Sequence, residues 1–387
     1  MYSNAQMELT LLPQTSSWVE LDIDIKPDEI SMGGFALAVD SLNHWLTLFK
    51  NQDPIKPRVI EVLPNRTAFI LHFGFSDFNR LRSKYVSRKS AEMGIDYDHF
   101  IFDWDTAYDI AIQKNFLDWI DSELAFTIVE PDRLDLKNDM MVWVNSSDSR
   151  TLMDRLSEMA LRVVNKHETD LNLIIYKEYK IQKLDIPDFL EVTLGEQFKY
   201  VTDNYFTQIE DYIVFANSPA ILQWTIDRFE KGKTLKNDAH FKTYTNRISA
   251  ESNIYIYSNI AASPLIYKSI ANNALQSHIE AQKEWLQKFQ VVSLQISYET
   301  DNLYFINNYL KYNPVYKKES NSLWELPLLT VATSKPTLVK NHYTQATEIF
   351  VQDTNNTIYL IDNKGNILWT RKVDGVIRSE VKQIDAL

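Results

Sequence analysis

One local pattern recurs three times in this chain and restricts its possible folds: an apolar strand, a short polar residue and then an amphipathic helix. The strands are predicted at residues 68–75, 141–144 and 212–216. Apolar side chains then recur at helical spacing, as Phe78, Leu81 and Tyr85 do in the first copy. The residues expected to cap the three helices are Ser76 or Asp77, Ser147 or Ser149, and Ser218, which precedes Pro219. Since no copy contains the glycines of a phosphate-binding loop, these residues are interpreted as helix caps and not as anion sites.

Further strands are predicted in "SWVELDID", "LAFTIVE" and "SNIYIYSNI", and longer helices at residues 36–50 and 270–290. The strands and helices are mixed without regular βαβ alternation. The pattern therefore predicts an α+β fold with mixed, largely antiparallel sheets and repeated strand-helix units.

Composition sets wider limits on this chain of 387 residues, which is long enough for two or three domains. A formal net charge of −12 argues against sequence-independent binding of nucleic acid, which requires clustered Lys and Arg. With 0 cysteines, disulfides and zinc-thiolate sites are excluded. We find no basic region followed by an apolar run at the N-terminus and no apolar run of about 20 residues. We therefore expect no transmembrane segment, and any export signal or anchor would lie outside the given chain.

The C-terminal part has a different pattern, in which strands are predicted without helices between them. Strand-like runs at "TLVKNHY", "EIFVQD", "TIYLID", "NILWTRKV" and "RSEVKQID" follow one another at roughly ten-residue spacing, which is typical of an antiparallel meander. A segment with two prolines, residues 312–328, precedes them. We therefore expect three parts: an N-terminal α+β subdomain at residues 1–135, a second α+β subdomain at 136–327 and a β-meander at 328–387.

The stretch "YLIDNKGNILWTRKVDG" resembles the blade hairpin of quinoprotein-like β-propellers, in which a strand ending in Asp is followed by a Gly turn and a Trp-containing strand. The chain as a whole resembles a family of exported proteins of unknown function from Bacteroidota. The stretches that carry this resemblance are "LTLLPQTSSWVELDI", "FDWDTAYDIAIQKNFLDWIDSELAF", "YFTQIEDYIVFANSPAIL" and the terminal hairpin. The resemblance implies an N-terminal α+β region followed by propeller-like repeats, of which only about one blade fits here, whereas closed propellers have four to eight.

The resemblance also implies a place in the periplasm or cell envelope, and the family has no established activity to carry over. Together with the absence of any catalytic motif, it leads to the hypothesis of a non-enzymatic envelope scaffold or interaction protein. Its partner is expected to be a protein or an envelope glycan, with no cofactor. The alternative is a hydrolase or metal-dependent enzyme whose site is assembled from distant segments.

The densest cluster of possible metal ligands is "DYDHFIFDWD", which contains Asp96, Asp98, Asp103 and Asp105. Carboxylates of this kind suit Ca²⁺ or Mg²⁺. A solvated loop beside buried aromatic residues explains the same pattern, so both interpretations stay open.

Aromatic residues are plentiful, and Tyr combines apolar area with a polar tip that suits sugar or peptide binding. If any face binds a partner, the Tyr-rich hairpin around Tyr304, Tyr309 and Tyr312 is the candidate surface. The alternative is a purely structural role, in which these side chains belong to the core or to a sheet face.

Overall fold

The structure is a computed structural model that describes residues 15–168, 170–271, 273–313, 326, 328, 330–333, 335–379, 381 and 382. Two compact units divide the chain between Lys317 and Lys318.

The first unit contains twelve strands and ten α-helices within its described residues. The strands are β1 (Trp18–Ile25), β2 (Glu29–Leu37), β3 (Thr67–Gly74), β4 (Ile120–Val129), β5 (Met140–Ser146), β6 (Leu173–Tyr176), β7 (Tyr179–Lys183), β8 (Tyr205–Ile209), β9 (Tyr212–Ala216), β10 (Ile254–Asn259), β11 (Phe289–Thr300) and β12 (Leu303–Tyr312). The helices are α1 (Phe78–Met93), α2 (Tyr97–Tyr108), α3 (Ile112–Asn115), α4 (Ser149–His167), α5 (Phe189–Leu194), α6 (Pro219–Glu230), α7 (Ala239–Thr245), α8 (Pro264–Ile270), α9 (Asn273–Ala281) and α10 (Lys283–Leu286).

All twelve strands form one antiparallel sheet in the order β1-β2-β12-β11-β10-β3-β4-β5-β9-β8-β7-β6. The central strands are apolar on both faces. In β5, for example, Val142 and Val144 point to one core, whereas Met141 and Trp143 point to the other. Side chains of a strand alternate between faces, so a continuous apolar run indicates a strand that is covered on both sides.

Helices cover each face of this sheet. The first core contains apolar residues of α1 to α5, such as Val86 of α1 and Leu156 of α4. The second core contains Leu222 of α6, Phe241 of α7 and Val59 of a 3-10 turn, Arg58–Glu61. The first unit is therefore a three-layer arrangement, and the predicted α+β class with largely antiparallel sheets is confirmed.

The three predicted strand-helix units are present as β3-α1, β5-α4 and β9-α6. Asp77 caps α1 by accepting a hydrogen bond from the N–H of Arg80. Ser218 occupies the position before the first turn of α6, where Pro219 lies, but its side chain makes no capping hydrogen bond. The expected cap of α4 was wrong, because Asp148, between the two candidate serines, accepts from the N–H of Thr151.

Two predicted helices differ from the structure. At residues 36–50 there is no continuous helix, because the segment begins in β2 and continues as two 3-10 turns, Asp40–Leu42 and Trp45–Phe49. Between those turns Asn43 has a φ of 53°, which no α-helix accommodates. Residues 270–290 are likewise divided into α9 and α10, and β11 begins at Phe289.

The second unit contains a four-stranded antiparallel meander of β13 (Thr337–Lys340), β14 (Thr347–Gln352), β15 (Thr357–Ile361) and β16 (Ile367–Lys372). These are four of the five predicted strands. The fifth does not form over residues 378, 379, 381 and 382, and the rest of "RSEVKQID" lies outside the described residues. The blade-like character of this sheet stays a prediction.

Two successive turns of the meander have the same construction. Oδ1 of Asp353 accepts hydrogen bonds from the N–H groups of Asn355 and Thr357, at 2.9 and 2.8 Å. Asp362 binds the corresponding N–H groups of Lys364 and Asn366, both at 2.8 Å. The residue before each second donor has positive φ, Asn356 at 59° and Gly365 at 88°, as expected for a tight hairpin turn closed by a left-handed residue.

The predicted boundary at residue 135 falls between β4 and β5, which are hydrogen-bonded neighbours of the one large sheet. The division of residues 1–327 into two subdomains stays a prediction.

Candidate functional site

The four aspartates of the acidic cluster lie on or beside α2, which is a helix and not the loop considered above. Asp96 caps the helix by accepting from the N–H of His99, and Asp105 accepts from the N–H of Ile112 at 2.9 Å. Asp103 lies 3.6 Å from the imidazole of His99. Across the described residues, no group of three His, Cys, Asp or Glu side chains is placed to hold a metal ion. The structure therefore does not bring Asp96, Asp98, Asp103 and Asp105 together as a metal site.

The three tyrosines of the predicted binding surface are placed differently from that prediction. Tyr304 is 0% exposed and Tyr309 is 4% exposed. Tyr309 follows Tyr304 by five positions on β12, and side chains alternate between the faces of a strand, so the two tyrosines belong to opposite cores. The hydroxyl of Tyr309 donates to the buried carboxylate of Glu29 at 3.1 Å. Tyr312 is partly exposed and packs against Phe289, with ring centroids 5.1 Å apart. Tyr304 and Tyr309 therefore stabilise the interior, and only Tyr312 is accessible to a partner.

The structure instead shows a buried ionisable group in the second core. Glu123 of β4 is 1% exposed, and its carboxylate is held from three directions. Nε2 of His72, on the neighbouring strand β3, donates to Oε2 at 2.8 Å, and the hydroxyl of Tyr212 on β9 donates to Oε1 at 2.5 Å. The N–H of Val59 also donates to Oε2, at 3.3 Å. A carboxylate buried in this way requires such donors, because desolvation of an unpaired charge is very costly.

A local irregularity of β4 lies beside Glu123. The pairing of β4 with β5 shifts register between Ile120 and Leu124, as at a β-bulge. Burial favours the neutral acid, but the hydrogen bonds from His72, Tyr212 and Val59 outweigh it and hold the pKa of Glu123 below its usual range. Glu123 is therefore a fixed negative charge at neutral pH.

A surface pocket of about 460 Å³ lies beside this network and includes Tyr212 in its wall. Arg58 lies between the pocket and the Glu123 network. Its Nε is 3.8 Å from the Glu123 carboxylate, and its Nη2 donates to Oδ1 of Asn145 at 3.3 Å. Glu61 and Lys236 form an ion pair of 2.8 Å in the same wall. Since the Glu123 oxygens already accept three hydrogen bonds, this arrangement suits stabilisation of the sheet better than proton transfer.

Sequence reasoning missed this network for an identifiable reason. The strand predicted in "LAFTIVE" starts one residue after Glu123, and His72 lies within an otherwise apolar strand. A charged residue at a strand position facing the core is the signal that would have located the site, since such residues are rarely buried unless paired.

The edge of the large sheet shows a second feature, the exposed strand β1. Among the described strands β1 pairs only with β2, so its other edge has no described partner strand. One face carries Glu20, Asp22 and Asp24, and the other carries apolar residues, of which Ile23 is 62% and Ile25 72% exposed. An exposed, regular edge strand of this kind is a template for pairing with another chain.

The described segments contain no helix that combines the length and apolarity needed to cross a bilayer. No curated protein and no solved structure matches the chain. A family model described as "Protein of unknown function (DUF3352)" matches residues 106–367, from within α2 to the start of β16. The match includes Glu123 and Tyr212, whereas β1 and His72 precede it. Since it covers more than half of the 387 residues, the chain belongs to this family, DUF3352.

Proposed function

We propose that this protein is a non-enzymatic interaction module of the cell envelope, which binds an extended segment of a partner protein along the free edge of β1. The observation that carries the proposal is the exposure of β1. Seven of its eight residues are exposed, and Leu21 is half-buried. Addition of a strand to an exposed sheet edge is a general mode of peptide recognition, in which main-chain hydrogen bonds give affinity and alternate side chains give specificity.

The two faces of β1 define the chemistry of the partner. Glu20 and Asp22 are exposed carboxylates on one face, whereas Asp24 is paired with Lys26 at 3.1 Å. Val19, Ile23 and Ile25 are exposed on the other face. Residues that are directly opposite in an antiparallel pair lie on the same face, and opposite charges there are stabilising. The expected partner is therefore a segment in which Lys or Arg alternates with aliphatic residues.

A second copy of this chain is a poorer partner for the same edge. When β1 pairs antiparallel with its own copy, residues of one face meet residues of the same face, so Glu20, Asp22 and Asp24 oppose one another. Like charges directly opposite in a sheet are destabilising. The charge pattern of β1 therefore favours a basic partner over self-association.

The proposal is tested by titrating the protein with an octapeptide that alternates Lys and Val, and with a matched peptide that alternates Glu and Val. Isothermal calorimetry should show binding of the Lys peptide and at least about tenfold weaker binding of the Glu peptide. In the double variant Glu20→Lys/Asp22→Lys the preference should reverse. A Lys peptide N-methylated on alternate residues serves as the control for main-chain pairing.

Each outcome has a definite meaning. Equal affinity for the two peptides, or equal affinity after N-methylation, contradicts strand addition at β1. Failure of the Lys peptide to bind also overturns the proposal, and it then identifies the edge as closed to added strands. Circular dichroism of the double variant checks that the exposed substitutions leave the fold intact.

The envelope location is supported by the resemblance of the sequence stretches named above. It is tested separately by expressing the full-length gene product in its native host and separating cytoplasmic from envelope fractions. Recovery in the cytoplasmic fraction would refute the location and leave the peptide-binding proposal to its own test.

A further inference from the structure

A small apolar cavity lies on the first-core side of the large sheet, and no residue of the edge strand β1 lines it. Its wall is made mainly by aromatic and aliphatic side chains of the Trp45–Phe49 turn, β3, β4, α1 and the segment that follows α5. The principal ones are Trp45, Phe49, Phe73, Phe78, Leu124 and Phe198. The free volume is about 50 Å³, which exceeds that needed for one water molecule and suits a group of a few heavy atoms.

Arg82 lies in the wall of this cavity. Its Nε is completely buried, and Arg82 makes no hydrogen bond or ion pair with any residue in the described parts of the chain. Desolvation lowers the pKa of Arg82, and Asp98 and Tyr97 offset this only through their more distant charges. A guanidinium carries five N–H donors in a planar fork, and when buried it is normally paired with an anion.

The other basic side chains of α1 give a direct comparison. Arg80 donates to the carbonyl of Asn51, Lys84 to that of Thr47 and Arg88 to that of Asn43. Lys89 pairs with Glu92 and Glu196. Among these neighbours on one helix, the side chain that lines the apolar cavity is the one without a described partner.

Tyr85, one helical turn after Arg82, also lines the cavity. Burial raises the pKa of its hydroxyl well above the usual value, so the group stays protonated and can donate a hydrogen bond. Arg82 as a residue is partly exposed, whereas Phe49 and Phe198 of the aromatic wall are buried.

We propose that this cavity binds a small hydrophobic carboxylate, with the carboxylate on Arg82 and the short apolar group among Trp45, Phe73 and Phe198. A planar carboxylate matches the fork of a guanidinium in a bidentate pair, which is among the stronger charge-assisted hydrogen-bond arrangements. Ligand sites are typically apolar pockets with a few polar groups that fix orientation, as here. This inference is independent of strand addition at β1, and neither result bears on the other.

The test uses isovalerate as the probe, with isovaleramide as its neutral isostere and acetate as its truncated analogue. Calorimetry on the full chain should show saturable binding of isovalerate and at least about tenfold weaker binding of both analogues. Arg82→Gln should lose at least about tenfold in affinity, and Arg82→Lys should lose less, since it keeps the charge but not the fork. Arg80→Gln, on the same helix but outside the cavity wall, should bind isovalerate as the unsubstituted protein does.

A second variant separates the cavity from the charge. Leu81→Trp fills the space from α1 and should abolish binding of isovalerate while Arg82 is retained. Unchanged affinity in Arg82→Gln, equal affinity for isovalerate and isovaleramide, or absence of saturable binding by the folded full chain overturns the proposal. Because Arg82 has no described partner to lose, Arg82→Gln is expected to fold, and its thermal unfolding midpoint should not fall.

Discussion

The hydroxyl of Tyr212 donates a 2.5 Å hydrogen bond to Glu123, although 89 residues separate them in sequence. The bond crosses from β9 to β4 over the intervening strand β5 of the large sheet. His72 extends the same link to β3. Three nonconsecutive segments of the chain thus share one buried carboxylate, and loss of any of them leaves a charge without a full set of donors.

Tyr212→Phe should destabilise the protein by about 1.5–3 kcal/mol, because it removes one hydrogen bond to a buried charge and changes nothing else in the side-chain shape. Chemical denaturation with two independent spectroscopic probes measures the change. Tyr200→Phe is the matched control, since the Tyr200 side chain is 53% exposed. Equal midpoints for the two variants would show that the hydrogen bond from Tyr212 to Glu123 contributes no stability.

Glu123→Gln should change how stability depends on pH. The pKa of Glu123 is lower in the folded protein than its usual value near 4.3, so its ionisation stabilises the fold above that pH and the benefit is lost as pH falls through the folded value. The variant should be less stable by about 3 kcal/mol at pH 7, and the difference should shrink in acid. Denaturation curves between pH 7 and about pH 3 provide the measurement. A difference that is independent of pH would contradict the assignment.

Asp139 should make stability depend on pH in the opposite direction to Glu123. Burial raises the pKa of Asp139 to about 6 against the opposing charge of Arg133, and Asp132 and Asp135 add to the rise. Oδ2 has no hydrogen-bond partner among the described residues. Because the folded state holds the proton more tightly than the unfolded state, the stabilising contribution is complete below about pH 4 and is lost as pH rises through 6. Asp139→Asn should therefore be more stable than the unsubstituted protein at pH 7.5, by about 1–2 kcal/mol after allowance for solvent screening.

The advantage of Asp139→Asn should largely disappear near pH 4, where both side chains are neutral. Thermal unfolding in matched buffers measures it, and Asp132→Asn, at an exposed position, is the control. A variant that is less stable than the unsubstituted protein at both pH values would show that the carboxylate has a partner outside the described residues.

Local signals in the sequence were sufficient for the elements that depend on neighbours in the chain. The apolar run before Asp77 predicted β3, and Pro219 after Ser218 marked the start of α6, because capping and periodicity act over a few residues. Residues 36–50 show where such signals fail. The apolar spacing of Trp45, Leu46 and Phe49 fits a helix, but pairing of β2 with both β1 and β12 extends the strand to Leu37 and leaves only short 3-10 turns.

The candidate sites depend on register and on distance, which one sequence does not display. Glu123, His72 and Tyr212 meet because β3, β4 and β9 are close in the sheet, and nothing in their spacing along the chain indicates this. The tyrosines of β12 show the converse. Tyr304 and Tyr309 were identified as a group from their proximity in sequence, but strand geometry sends them to opposite faces.

In the second unit, Asn356→Val should destabilise the meander by about 1–2 kcal/mol, because Asn356 has a φ of 59° and a β-branched residue is strained there. Asn356→Gly should be tolerated. Asn355→Val is the matched control at the adjacent exposed position, which is outside the group of positive-φ residues. Hydrogen exchange of the β15 amides reports the effect on this unit alone. Equal exchange in the two valine variants would argue against the turn geometry described for Asp353.

Two adjacent glycines in β2 give the sharpest test of how β1 is held in place. A Cβ on Gly34 would lie 1.9 Å from the carbonyl oxygen of Glu20 in β1, whereas a Cβ on Gly33 would find its nearest neighbour, the Phe305 ring, at 4.0 Å. Main-chain atoms of packed strands cannot shift enough to relieve a contact of 1.9 Å. Gly34→Ala should therefore separate β1 from β2, whereas Gly33→Ala is accommodated. Hydrogen exchange should show faster exchange of the β1 amides in Gly34→Ala and near-unchanged exchange in Gly33→Ala. Because strand addition needs a β1 that is fixed to the sheet, Gly34→Ala should also abolish binding of the Lys-Val peptide, and retention of that binding would place the peptide somewhere other than the edge of β1.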